Sequence, residues 1–267
     1  MRADGVAVQL RPRNPWEAMD LGFAMARRWW LPLWGAWFAV CLPTAIVLSV
    51  AFRSSPWLAA VALWWLKPLL DRFALHVAGH AVFGETPRVR STLAAWREIL
   101  SPGLIAALTL YRFDLARSFL LPVWQLERQK GRDCRARRQT LQRRMRSYAV
   151  WLTVICVNVE ALAMLSGGLL VDLLKPAEAD TGFNLLELFS GAAGGSFWDW
   201  RDMLAYAAAV SAIEPLYVVA GFSLYLNRRM TLEDSFWVPI RRSCRWPILN
   251  RTIRALSKRW YFTPSRR

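Results

Sequence analysis

The feature that most constrains this chain is a run of 23 residues, Trp30 to Phe52, that contains no charged side chain. At about 1.5 Å per residue, a helix of that length crosses a hydrocarbon layer of about 30 Å. Two later runs of similar length, Tyr148 to Leu174 and Met203 to Leu226, each contain a glutamate. Because a single chain crosses lipid as helices that satisfy their own backbone, the sequence predicts an all-α, polytopic membrane helical bundle.

A further segment, residues 57 to 83, keeps a helical apolar pattern but is rich in polar residues: Lys67, Pro68, Asp71, Arg72, His76 and His80. It can cross a membrane only if those side chains face protein or water. With this segment, we predict about four transmembrane helices, accompanied by amphipathic helices at the interface or in the cytoplasm.

The distribution of charge orients the predicted spans. The chain is 55% hydrophobic and yet has a formal net charge of +16, which is unusual for a soluble protein. Residues 112–146 hold eleven Lys and Arg against three acids, residues 227–267 hold eleven against two, and the 175–202 loop holds two against five. Since an excess of Lys and Arg marks cytoplasmic loops, we expect a multi-pass membrane protein with both termini in the cytoplasm.

This map divides the chain into five segments. They are a cytoplasmic N-terminal segment with an amphipathic helix (1–30), a first transmembrane hairpin (31–83), a basic cytoplasmic or interfacial region (84–147), a second transmembrane hairpin (148–226) with an acidic periplasmic loop (175–202), and a basic cytoplasmic tail (227–267). Asn14, Pro15 and Glu17 predict the start of the N-terminal helix, which either lies at the membrane interface or extends the first span. No cleavage site follows the first apolar run, so we expect an uncleaved anchor. The run 103–111 is too short to cross, and we expect it at the membrane surface or buried against the bundle.

Three charged side chains are predicted to lie near the middle of the bilayer. Counting at about 1.5 Å per residue places Lys67 and Glu214 roughly 16 Å deep and Glu160 roughly 18 Å deep. An unpaired charge there costs about 2.5 to 3.5 kcal/mol on insertion scales. With Asp71 and Arg72 one turn from Lys67, we expect an intramembrane polar cluster in which Lys67 or Arg72 pairs with one or both glutamates.

The role of this cluster stays open between two hypotheses. The charges fix the register of the helices, or they form a proton or ion relay. Each glutamate shares a helical face with small residues, which favours a position inside the bundle. Pro215 next to Glu214 also leaves a backbone carbonyl one turn earlier without its usual donor.

A group of arginines in the basic region is expected to contact anionic lipid headgroups or a protein partner: Arg135, Arg137, Arg138, Arg143 and Arg144. Nucleic acid is not an expected partner, because residues 128–147 contain no aromatic side chain on which bases could stack.

No catalytic constellation is visible in the sequence. His76 and His80 lie one turn apart, but the stretch reads H-V-A-G-H and lacks the glutamate of a metalloprotease helix. The four cysteines form no C-x-x-C pair, and GAAGGS at 191–196 lacks the lysine of a phosphate-binding loop. We therefore expect no enzymatic activity, no cofactor and no metal.

Four stretches carry a family resemblance: RPRNPWEAMDLGFAMARRWW, WWLKPLLDRFALHVAGHAVFGETPRVR, RSFLLPVWQLE and IEPLYVVAGFSLYLNRRMTLE. They resemble the N-terminal membrane region of proteobacterial inner-membrane proteins, some of which carry a DUF4129 domain, over roughly residues 10–234. In that family the chain continues after 233 as an amphipathic helix. The tail here is basic and lacks that pattern, as a truncated or frameshifted reading would produce. The resemblance implies partners encoded in gene clusters with a MoxR-type ATPase and a DUF58 protein.

These features together predict a non-catalytic assembly or scaffolding component of a membrane complex. The alternative is a small transporter or proton-linked channel that uses Lys67, Glu160 and Glu214.

Overall fold

The computed structural model describes residues 12–100, 108–109, 112–127, 131–173 and 200–235, and within them every regular element is a helix. The all-α prediction is therefore confirmed. In chain order the helices are α1 (Pro15–Arg28), α2 (Trp30–Ala51), α3 (Pro56–Val82), α4 (Val89–Ala94), α5 (Trp96–Leu100), α6 (Arg117–Gln125), α7 (Gly131–Gln142), α8 (Arg146–Leu173) and α9 (Trp200–Ser235). The predicted loop 175–202, apart from its last three residues, and the tail beyond 235 lie outside the described residues.

Three helices are long and apolar enough to cross a membrane: α2, α8 over Arg146–Leu170 and α9 over Asp202–Leu232. The exposed faces of α2 and α8 carry leucine, valine and isoleucine side chains, such as Ile46 and Leu162. The molecule is thus a membrane protein whose apolar surface faces lipid. Helix α3 has 27 residues, enough length to cross, but its charged residues set it apart from the other three by composition.

Helix α9 lies at the centre of the bundle and packs against α1, α2, α3, α6 and α8. Among the described residues after 131, it contains most of the large buried side chains, including Phe222 and Tyr225. The hydrophobic core therefore follows the length of α9.

Helix α1 begins as the sequence predicts, with the Asn14 side chain accepting from the backbone N–H of Trp16 and Pro15 in the first turn. It packs along α9. A Cβ on Gly22 would lie only 2.5 Å from the Cα of Ala220, so the two backbones touch at a position where a larger residue does not fit. A break at Trp29 separates α1 from α2, which follows it directly along the chain.

The start of α1 is fastened to the far part of α9 by hydrogen bonds. Asn227 accepts from the backbone N–H of Arg13 at 2.8 Å and donates to its carbonyl at 2.9 Å. The hydroxyl of Ser223 donates to the Ala18 carbonyl at 2.6 Å. Because α1 and α9 run antiparallel here, residues 13 and 227 lie at the same end of the bundle.

Helix α6, within the region 84–147 that is predicted to be cytoplasmic or interfacial, packs into the bundle. Its side chains from Ser118 to Gln125 are all buried, and it contacts α3, α8 and α9. Gly221 of α9 allows the close approach, since a Cβ there would overlap Ser118. The apolar run FLLPVW explains this position, because burial against the bundle removes that surface from water.

Prolines interrupt α3 and α9 immediately after Lys67 and Glu214, at Pro68 and Pro215. Each proline lacks the N–H that would bond the carbonyl four residues earlier. The structure supplies another donor in both cases: the Arg112 guanidinium donates to the Trp64 carbonyl, and the Trp34 indole donates to the Ser211 carbonyl at 2.9 Å. The carbonyl predicted to be free beside Glu214 thus anchors α2.

Candidate functional site

The ammonium group of Lys67 lies between two carboxylates. It is 2.8 and 2.9 Å from the two oxygens of Glu160 on α8 and 2.7 Å from Oε2 of Glu214 on α9. The lysine is 5% exposed and Glu214 is 2% exposed, so these contacts are made away from solvent. The similar depths counted from the sequence therefore correspond to direct contact, and Lys67 pairs with both glutamates.

A second cation, Arg117 at the start of α6, joins this group from the opposite side. One nitrogen of its guanidinium, Nη2, is 2.7 Å from Glu214 Oε1 and 3.2 Å from Asp71 Oδ2. The result is a continuous charge network, Glu160–Lys67–Glu214–Arg117–Asp71, which connects α3, α6, α8 and α9. Among these, Arg117 is the residue that sequence reasoning missed.

The residues around Arg117 in the sequence did not indicate that it is buried in the bundle. It lies in the arginine-rich region that the charge count assigns to the cytoplasm, and α6 is too short to register as a span. The available signal was the apolar run that follows it directly, FLLPVW, which would have to be buried. The long side chain then covers the distance between the start of α6, which lies against Gly221, and Glu214 two helical turns away.

Charge balance within the network is unequal, with three carboxylates and two cations. A buried ion pair is stable only when the geometry is good and each charge is compensated. Asp71 is fully buried, and its carboxylate contacts Arg117 Nη2 at 3.2 Å. The network can fix helices to one another. Because it contains one more carboxylate than cations, it can also bind one proton.

Arg72, the other predicted partner of the glutamates, is directed elsewhere. Its guanidinium donates to the carbonyls of Ile99, at 3.4 Å, and Leu100, at 3.0 Å, which end α5. The last carbonyls of a helix lack intrahelical donors and carry partial negative charge, so an arginine is a suitable partner for them. Lys67, not Arg72, is the cation that reaches both glutamates.

Next to the charge network, the hydroxyl groups of Tyr217 and Thr153 form hydrogen bonds at the start of α6. Tyr217 lies one turn from Glu214, and its hydroxyl accepts from the Ser118 backbone N–H at 3.3 Å. The same hydroxyl is 2.9 Å from Thr153 Oγ1, which also donates to the Leu115 carbonyl. These bonds hold the start of α6 against α8 and α9.

The predicted arginine group separates into two sets around α7. Arg137 binds Glu127, with Nη2 at 2.9 Å from Oε1, and Arg138 Nη2 is 2.7 Å from Asp114 Oδ2. Although burial disfavours the charged form of Arg137, the contact with Glu127 outweighs it and raises the pKa of Arg137. Both arginines thus pair with carboxylates of the same chain.

The other arginines of the group, Arg135, Arg143 and Arg144, are exposed. Arg132 and Arg146 are exposed as well, and we call these five side chains the arginine surface. Glu127 also accepts from the Tyr225 hydroxyl at 2.6 Å, so the ion pair that holds α7 is itself attached to α9.

The two histidines lie side by side, with ring centroids 4.3 Å apart, and His80 Nδ1 is 2.9 Å from the His76 carbonyl. No group of three or more potential metal ligands occurs among the described residues. Three cysteines, Cys41, Cys134 and Cys156, are buried thiols.

Comparison of the chain with protein-family models, with curated proteins and with solved structures returned no match.

Proposed function

We propose that this chain is a non-catalytic assembly component of the bacterial inner membrane that holds an arginine-rich docking surface at the cytoplasmic boundary of the bilayer. The observation that carries the proposal is the attachment of α7. Two ion pairs, Arg137–Glu127 and Arg138–Asp114, fix this helix on the bundle. A basic segment that served only to orient the chain in the membrane would need no such attachment.

The position of the arginine surface supports the docking role. Arg143 and Arg144 lie in the turn that separates α7 from α8, and Arg146 begins the apolar helix α8. Five exposed guanidinium groups at a membrane boundary attract anionic headgroups and acidic protein surfaces. The partner we propose is an acidic cytoplasmic protein, with anionic lipid headgroups beside it. The resemblance described above suggests products of a MoxR/DUF58-type gene cluster.

The charge network supports the proposal that the helices form a rigid bundle in the membrane, on which the arginine surface is held. It joins four helices, and its members are buried and paired with one another. Its position inside the bundle also favours α3 as a fourth span, since Lys67 lies at mid-length of α3 and meets residues at mid-length of α8 and α9. With the positive charge inside, both termini lie in the cytoplasm.

The docking role is tested by neutralising arginines and recovering cross-linked partners from native membranes. Replacing Arg135, Arg143 and Arg144 by Gln together should abolish recovery of cytoplasmic proteins. Replacing Arg88, Arg90 and Arg97, which are exposed elsewhere, removes the same charge and should leave recovery unchanged. Equal recovery with both triple variants would contradict the proposal.

Topology is tested by labelling single cysteines from the periplasmic side in a chain without native cysteines. We expect labelling at Ser196→Cys and protection at Gln139→Cys and Ser265→Cys. Labelling at position 139 or 265 would contradict the proposed orientation.

A second candidate function, a small transporter or proton-linked channel using Lys67, Glu160 and Glu214, is favoured by the unequal charge balance of the network. The third carboxylate, Asp71, could hold and release a proton. In that case Glu160→Gln and Glu214→Gln would stop proton flux in proteoliposomes while the protein stays folded. A scaffold would retain its partners in both variants and show no flux in the wild type.

A further inference from the structure

One face of α8 points away from the bundle and carries a polar residue in the middle of an apolar stripe. The stripe consists of large exposed side chains at alternating spacings of four and three residues around one asparagine: Trp151, Ile155, Asn158, Leu162, Leu165 and Leu169. At 3.6 residues per turn, Asn158 lies on the side of α8 opposite Glu160. The stripe is thus separate from the charge network.

Asn158 lies about ten residues from the start of the apolar run at Tyr148, or roughly 15 Å into the bilayer. Its amide nitrogen donates to the Val154 carbonyl of its own helix at 2.7 Å. Among the described residues its side-chain oxygen receives no hydrogen bond. In hydrocarbon such an unsatisfied polar group is costly, and a partner helix is what satisfies it.

We propose that a second copy of this chain docks on the α8 stripe and forms a parallel homodimer through Asn158. Two copies inserted in the same orientation and related by a two-fold axis along the membrane normal bring the same residue to the same depth. A carboxamide has both a donor and an acceptor, so it is complementary to itself. A different protein would need a polar group of its own at this depth, whereas a second copy supplies one by symmetry.

The spacing of the stripe supports the same geometry. Side chains at alternating intervals of four and three residues interlock between two helices that cross at a small angle, and a single asparagine in such a seam fixes its register. Apolar side chains alone are as stable against lipid as against another helix. The asparagine, not the leucines, therefore distinguishes this face from an ordinary lipid-facing surface.

The first test is disulfide cross-linking in membranes with copper phenanthroline, using the full chain with its native cysteines replaced by serine. Leu162→Cys, in the stripe, should give an inter-chain disulfide. Val157→Cys is the matched control, since it is exposed to a similar degree, 56% against 65%, but lies on a different side of α8. Equal cross-linking at both positions would show random collision and overturn the proposal.

The second test measures self-association in bilayers by energy transfer between labelled copies. Asn158→Leu should weaken association roughly fivefold to thirtyfold, and Asn158→Gln should retain most of it. Since this side chain points away from the bundle, the folded state of each variant can be checked by tryptic resistance. The proposal is overturned if the wild-type chain is monomeric, or if the Asn158→Leu variant associates as strongly as the wild type. It is also overturned if Leu162→Cys cross-links only to another protein.

Discussion

Replacing Lys67 by methionine is the sharpest test of the charge network, because it removes one charge and keeps nearly the same side-chain length. The two carboxylates beside Lys67 depend on it unequally. Glu160 has hydrogen bonds from Lys67 alone among the described residues, whereas Glu214 also contacts Arg117. Lys67→Met therefore leaves Glu160 buried without a cation, while Glu214 keeps one.

The magnitudes follow from this difference. Removing one partner of a buried ion pair costs about 3 to 5 kcal/mol, so Lys67→Met should lower the free energy of unfolding by that amount. Glu160→Gln should cost less, about 1.5 to 3 kcal/mol, because Lys67 still pairs with Glu214. In the double variant, Lys67→Met with Glu160→Gln, no charge at position 160 remains to be compensated. Its loss of unfolding free energy should therefore be smaller than the sum of the two single losses by about 0.5 to 3 kcal/mol.

The assay is reversible unfolding in mixed micelles, followed by the fluorescence of the 16 tryptophans. Arg53→Met is the control, because it removes an exposed positive charge and should change the free energy of unfolding by less than about 0.5 kcal/mol. A Glu160→Gln variant less stable than Lys67→Met, or a double variant equal to the sum, would refute the pairing argument.

Three further predictions rest on single contacts. Gly22→Ala should destabilise the fold by about 1 to 3 kcal/mol in thermal unfolding, whereas Gly168→Ala, which has open space around it, should not destabilise it. Trp34→Phe keeps an aromatic ring but leaves the Ser211 carbonyl without its donor, and should cost about 1 to 3 kcal/mol in the same assay; an unchanged midpoint would contradict this. Burial raises the pKa of the Cys134 thiol, and the thiolate is the reactive form. In a chain with this one cysteine, the rate of alkylation should therefore still increase with pH above pH 9. A rate that no longer changes above pH 9 would show a thiol of ordinary pKa.

The sequence alone determines the helical class and how far along its helix each charged residue lies. Three long apolar runs predict helices, and α2 and α8 begin and end close to their runs, whereas α9 continues beyond Leu226 to Ser235. Depth follows from the fixed rise per residue, which is a local property of a helix. This is why counting along separate runs placed Lys67, Glu160 and Glu214 at one level before any contact between them was known.

The tertiary structure decided which cation each carboxylate meets. Arg117 comes from a helix that the charge count assigned to the cytoplasm, and Arg72 turns to the end of α5 although it lies next to Asp71. Likewise Arg137 and Arg138 have the same sequence signature as the exposed Arg135 but bind carboxylates. These outcomes depend on where distant segments pack and on which side of a helix each side chain leaves. Spacing along a segment tells which side chains share a face of its helix. It does not tell which distant segment packs on that face, because that arises from contacts between segments far apart in the chain.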